Sequence, residues 1–107
     1  MQMREIKKRV LNVEHTIHRA ADVCELDRSA PQQLKQVINE LNEKSNRGKQ
    51  IIQSSRDESM VRQYIEDLEA LGDNAKRACA SGKVSPELRT AVLQAHDELS
   101  NLKHQLH

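Results

Sequence analysis

Residues 85–106 read "SPELRTAVLQAHDELSNLKHQL", and their spacing decides the fold. Leu88, Val92, Ala95, Leu99, Leu102 and Leu106 follow one another at alternating steps of four and three. That rhythm places all six on one stripe of an α-helix. The entry to the stretch carries helix punctuation as well. Ser85 can accept from the free amides of the first turn, Pro86 suits a first helical position, and Glu87 suits the positive end of the helix dipole.

Working outward, the same rhythm returns three more times. It runs through Val61, Ile65, Leu68, Leu71, Ala75 and Ala78, and through Leu34, Ile38, Leu41, Ser45, Gly48 and Ile52. It also runs through Met3, Ile6, Val10, Val13, Ile17, Ala20 and Cys24. No useful stretch alternates with period two, so strands are not expected. The predicted helices cover about residues 2–26, 30–54, 56–80 and 86–106. Between them, Ser29 and Pro31 predict a capped start for the second helix, and Ser55 with Glu58 predicts a capping box for the third. Gly82 predicts a left-handed close to the third helix. Three glycines and two prolines leave only short connections, so consecutive helices should run antiparallel.

The expectation is a single all-α domain over residues 1–107, an up-down-up-down four-helix bundle whose seven-residue spacing implies coiled-coil-like packing. Two alternatives stay open at this level. Gly48 could interrupt the second helix, and the chain could open into hairpins that complete a core by dimerising. Val37, Ile51, Tyr64 and Leu93 lie off the stripes. They either widen the core face or form an interface.

Composition narrows function. Hydrophobic residues are 36% and charged residues 31%, and Tyr64 is the only aromatic. The formal charge of +1 favours neither nucleic acid nor an anionic membrane. No apolar run reaches the length of a membrane span, and "MQMREIKKRV" lacks the apolar stretch of a secretory signal. Two lone cysteines, Cys24 and Cys79, make no disulfide framework and read as buried thiols at one end of the bundle. These features together predict a cytoplasmic protein. No nucleophile stands beside a His–acid pair and no glycine-rich phosphate loop occurs, so neither enzymatic activity nor a cofactor is expected.

Two short stretches resemble signalling motifs. "SPELRTAV" (85–92) resembles the phosphoacceptor box of histidine kinases at Ser85, Glu87, Leu88, Arg89 and Thr90. It departs from the box at Pro86, where the family has its phosphoacceptor histidine, and at Ala91, where the family has proline. Proline offers no nitrogen nucleophile, so phosphotransfer at residue 86 is ruled out. "HTIHRAA" (15–21) is similar to the His-x-Leu-Lys-Gly-Ser/Ala pattern of histidine phosphotransfer domains. That likeness implies a phosphoacceptor at His15 with Ile17 packing beneath it. His18 replaces the usual lysine, and Arg19 replaces the glycine that admits a response regulator.

Metal ligation has little sequence support. His15/His18 and His104/His107 each share a helix face, but no Glu-x-x-His or His-Glu-x-x-His occurs. No functional metal site is expected. Charge placement is the one anomaly. The third helix obeys its dipole, with Asp57 and Glu58 early and Lys76 and Arg77 late. The first helix reverses it: Arg4, Lys7, Lys8 and Arg9 crowd the start, and Asp22, Glu25 and Asp27 gather at the end. Either the basic start meets an acidic partner, or neighbouring helices balance it. A patch this short, with no aromatic residues to stack on bases, is not expected to bind nucleic acid.

The sequence therefore predicts a non-catalytic helical-bundle interaction module: an adaptor, a chaperone-like subunit or a regulatory subunit. Its partner would be another protein or a second copy of itself. Phosphotransfer through His15 is the alternative.

Overall fold

The computed structural model describes residues 2–106. His107, half of one histidine pair considered above, lies outside the described residues. Four helices occupy nearly all of the chain: α1 Met3–Leu26, α2 Gln32–Ser54, α3 Glu58–Ser81 and α4 Pro86–Leu106. Each packs on its sequence neighbours, and α4 closes against α1. The chain thus completes an all-α four-helix bundle within one copy. It does not open into hairpins. The bundle measures 41 × 23 × 17 Å. Among the described residues, no helix is long and apolar enough to cross a membrane.

The stripes read from the sequence form the core. Leu34, Leu68, Leu88 and Leu99 are fully buried. Removing any one of these side chains to Cβ should cost about 2–5 kcal/mol. The buried residues divide into two clusters along the long axis. One gathers Ile6, Val10, Ile65, Leu99 and Leu102 at the end that holds the α2–α3 turn. The other gathers Cys24, Leu34, Ala78, Cys79 and Leu88 at the opposite end. Small residues lie between them. At Gly72 a Cβ would stand 3.3 Å from the Leu99 side chain and 3.8 Å from the His96 backbone, so α3 and α4 approach closely here.

The helix ends both follow and depart from the sequence reading. Ser85 does cap α4, its Oγ accepting from Leu88 N at 3.2 Å, and Pro86 does open it. α3 is capped by Asp57, whose carboxylate accepts from the amides of Ser59 and Met60. The expected Ser55–Glu58 box does not form, because Ser55 Oγ instead accepts from Asp57 N at 3.1 Å. Ser29 does not cap α2. Its amide and hydroxyl both turn back to donate to Asp27 Oδ1, and α2 starts one residue after Pro31.

Gly48 does not interrupt α2, and Gly82 is not left-handed: its backbone is extended at φ −134°, ψ 173°. Both glycines are explained by what lies against them. A Cβ on Gly82 would stand 2.7 Å from Pro31 Cγ, so the α3–α4 turn passes tightly under the α1–α2 turn. A Cβ on Gly48 would clash with the Cε1–Cζ edge of the Tyr64 ring.

Candidate interaction surface and polar sites

The basic start of α1 is partly absorbed by its neighbours. Lys7 Nζ donates to the backbone oxygens of Gln53 at 2.8 Å and Ser55 at 2.5 Å, satisfying carbonyls that the end of α2 leaves free. Gln53 Nε2 returns a bond to Lys7 O. Arg9 donates to Gln105 near the end of α4. An antiparallel bundle sets the N-terminus of α1 beside the C-termini of α2 and α4, so its cations meet the negative ends of two helices. Lys7 and Arg9 are thereby structural residues. Arg4 and Lys8 remain exposed, and among the described residues no carboxylate pairs with either.

This end of the bundle is more basic than the composition as a whole. Residues 2–14, 47–64 and 100–106 hold nine Lys and Arg against four Asp and Glu. Residues 15–46 and 65–99 hold eight against twelve. A chain of formal charge +1 therefore folds into a bundle with a cationic end and an anionic remainder.

Apolar surface lies at the same end. Lys44 pairs with Asp67 at 3.5 Å and fixes the antiparallel register of α2 and α3. Two turns on in α2 is Ile51, and two turns back in α3 is Met60, so the pair shares one face. Ile51 is 58% exposed and Met60 47%. Of the four candidate interface residues, Ile51 is thus presented to solvent. Val37 is half-buried on the core cluster at the opposite end, and Leu93 is half-buried beside a shallow groove that Asp97 and Asn101 also line. Tyr64 follows the other reading and widens the core face: it is buried.

Tyr64 anchors a polar layer that interrupts the apolar core. Its hydroxyl lies 2.6 Å from Glu14 Oε2 and 3.2 Å from Ser45 O, and Glu14 is only 2% exposed. Burial raises the Glu14 pKa, opposed by the Tyr64 hydroxyl and by the charges of Lys49 and His18. Burial, then the Glu14 carboxyl, pushes the Tyr64 phenol upward too. One phenolic proton cannot serve both acceptors fully. Tyr64 Oη donates to Glu14 Oε2, and its proton is shared with Ser45 O. The layer ties α1, α2 and α3 together but exposes no atom for chemistry.

The remaining candidates sort quickly. His15 is exposed in a groove between α1 and α4, which it lines with Arg9, Asn12, Thr16 and Glu98. Glu98 accepts from Thr16 Oγ1 at 2.8 Å, so the groove already carries a carboxylate beside the ring. Cys24 and Cys79 are both buried free thiols in one core cluster, and burial raises the pKa of each. They are poor nucleophiles as placed.

One donor cluster was not expected from the sequence. Glu69 and Asp73, one turn apart on α3, face His96 on α4, and one ligand atom from each lies within 4.8 Å of the others. His96 Nε2 is 2.6 Å from Asp73 Oδ1, and its Nδ1 is 3.4 Å from Asp97 Oδ1. Glu69 Oε2 accepts from Lys103 Nζ at 3.3 Å. The i,i+4 carboxylates are legible in the sequence, but the histidine comes from the facing helix, 23 residues beyond Asp73. Motif spacing within one helix could not reveal it. The Tyr64 layer had a fainter signal: the sole aromatic stands opposite Ser45 and Gly48, the two smallest members of the α2 stripe.

No family model, curated protein or solved structure matches this chain. Its function therefore has to be argued from its own surface.

Proposed function

We propose that this protein is a non-catalytic interaction module that docks an acidic protein surface at the α2–α3 end of its bundle. One observation carries the reading: exposed apolar side chains and unbalanced positive charge occur together there. Ile51 and Met60 supply exposed apolar side chains, and Arg4, Lys8 and Arg56 supply exposed cations at the same end of the bundle. Such a pairing of apolar with charged surface is how protein interfaces divide affinity from steering. The buried thiols and the lack of a membrane-spanning helix accord with a cytoplasmic setting.

The test is affinity capture from the native host with three baits: wild type, Ile51→Glu/Met60→Glu, and Lys8→Glu/Arg56→Glu. The same partner should be lost from both variants, and its capture by wild type should weaken as salt rises. A partner retained by both variants would refute the assignment. Sedimentation across a concentration range separates self-association, which would make the occupant a second copy.

The alternative, phosphotransfer through His15, has that ring's exposure in its favour. Acid-labile phosphate on wild type but not on His15→Ala, after treatment with a small phosphodonor, would establish it.

A further inference from the structure

We propose that Glu69, Asp73 and His96 form a binding site for a divalent transition metal ion, with Zn2+ the fitting species, on the α3–α4 face. The site is independent of the docking end.

The donor set is one imidazole nitrogen and two carboxylates from two helices. Neutral imidazole with carboxylates suits Zn2+ better than Mg2+ or Ca2+, which take oxygen ligands almost exclusively. Three protein ligands plus water is the arrangement of an open zinc site. His96 is held for this role. Its residue is 9% exposed, and the close approach of α3 at Gly72 fixes its backbone. Asp97 takes up Nδ1, the outer carboxylate that orients a ligating histidine and directs Nε2 to the ion.

The geometry points the same way. With Nδ1 turned to one carboxylate, Nε2 lies 2.6 Å from a second, Asp73 Oδ1. Two ligand atoms from separate helices are thus already directed at one small volume that an ion can share.

Tetrahedral bonds of about 2.0–2.1 Å set ligand atoms roughly 3.3 Å apart. The His96–Asp73 contact, 2.6 Å, must therefore open, and the wider ligand pairs, all within 4.8 Å, must close toward that spacing. The Asp73 side chain is 42% exposed and free to swing. Lys103, 41% exposed, must release Glu69 and turn to solvent.

The experiment titrates chelator-treated full-length protein with Zn2+ against a chromophoric competitor, and with Co2+ for its visible absorption. The expected result is one equivalent bound and a melting temperature raised by roughly 10 °C at a hundredfold excess over Kd. Asp73→Asn and His96→Gln should each weaken binding at least tenfold, and Asp97→Ala should weaken it by roughly 10–100-fold. His15→Ala/His18→Ala should leave it unchanged. Asp73 is a surface position, so its variant reads the site even if His96→Gln unfolds. Absence of stoichiometric binding would overturn the proposal. So would binding that survives Asp73→Asn and disappears with His15 and His18, which would mark an adventitious surface site.

Discussion

Gly48→Ala tests the interior most sharply, because helix propensity and packing give opposite signs. In a helix interior alanine is favoured over glycine by about 1 kcal/mol, so α2 taken alone should gain stability. In the bundle the new Cβ would fall against the Tyr64 ring, 2.8 Å from Cζ. The ring is rigid, buried and tied by its hydroxyl to Glu14, so it cannot step aside cheaply. Overpacking of this kind costs about 1–3 kcal/mol. Displacing the phenol would leave a buried polar group unpaired, at about 1–3 kcal/mol more. The net expectation is a loss of roughly 1–5 kcal/mol from a domain whose total is of order 5–15 kcal/mol. Urea unfolding followed by helical circular dichroism measures it. The control is Tyr64→Ala, which itself costs about 3–5 kcal/mol and is best measured in stabilising sulfate. With the ring gone, adding Gly48→Ala should stabilise by about 1 kcal/mol. A Gly48→Ala protein more stable than wild type, or an unchanged sign in the Tyr64→Ala background, would refute the account of the polar layer.

Other consequences concern pH, caps and thiols. Glu14 has a raised folded pKa, so its native form holds the proton more tightly than the unfolded chain. Stability should therefore fall as pH rises from near 4.5 through the raised value. Glu14→Gln should remove that slope and raise the urea midpoint at pH 7, since the amide can donate to Tyr64 Oη permanently. An unchanged slope in the variant would place the titration elsewhere. Asp27 acts in the opposite sense: hydrogen bonds from Ser29 and Ser85 hold it below the usual carboxylate range. Its contribution should be lost only on acidification below about pH 4, and Asp27→Asn should flatten that acid limb. Ser85→Ala and Asp57→Ala should each cost about 1 kcal/mol in the same denaturation assay. Cys24 and Cys79 should resist a thiol-reactive dye in the native protein and react at the rate of unfolding. Rapid labelling of either would contradict their burial.

The four helices were legible because their cause is local. Steps of three and four put apolar residues on one face wherever they occur, and the Ser85–Pro86 entry to α4 needs only adjacent residues. Helix ends were less legible where competing partners lay within a few residues. Asp57 displaced Ser55 as the cap of α3, and Asp27 drew Ser29 away from α2. The glycines were legible only in part. The helix was expected to run through Gly48 with a break left open, and Gly82 suggested a left-handed turn. Each is small because a side chain from another element, Tyr64 or Pro31, crowds the place of its Cβ.

By itself, then, the sequence determined the secondary structure, the all-α class and the short antiparallel connections, since each depends on residues at most a few positions apart. It also showed the reversed charge of α1 without saying what that charge meets. Only the tertiary structure decided that Lys7 closes the end of α2, that Tyr64 turns inward to a buried carboxyl, and that His96 meets Glu69 and Asp73. It likewise decided that a nearly neutral chain carries its net positive charge and its exposed Ile51 and Met60 at one end. These properties depend on which faces of separate helices are brought together and in what register. Periodicity within a helix fixes neither.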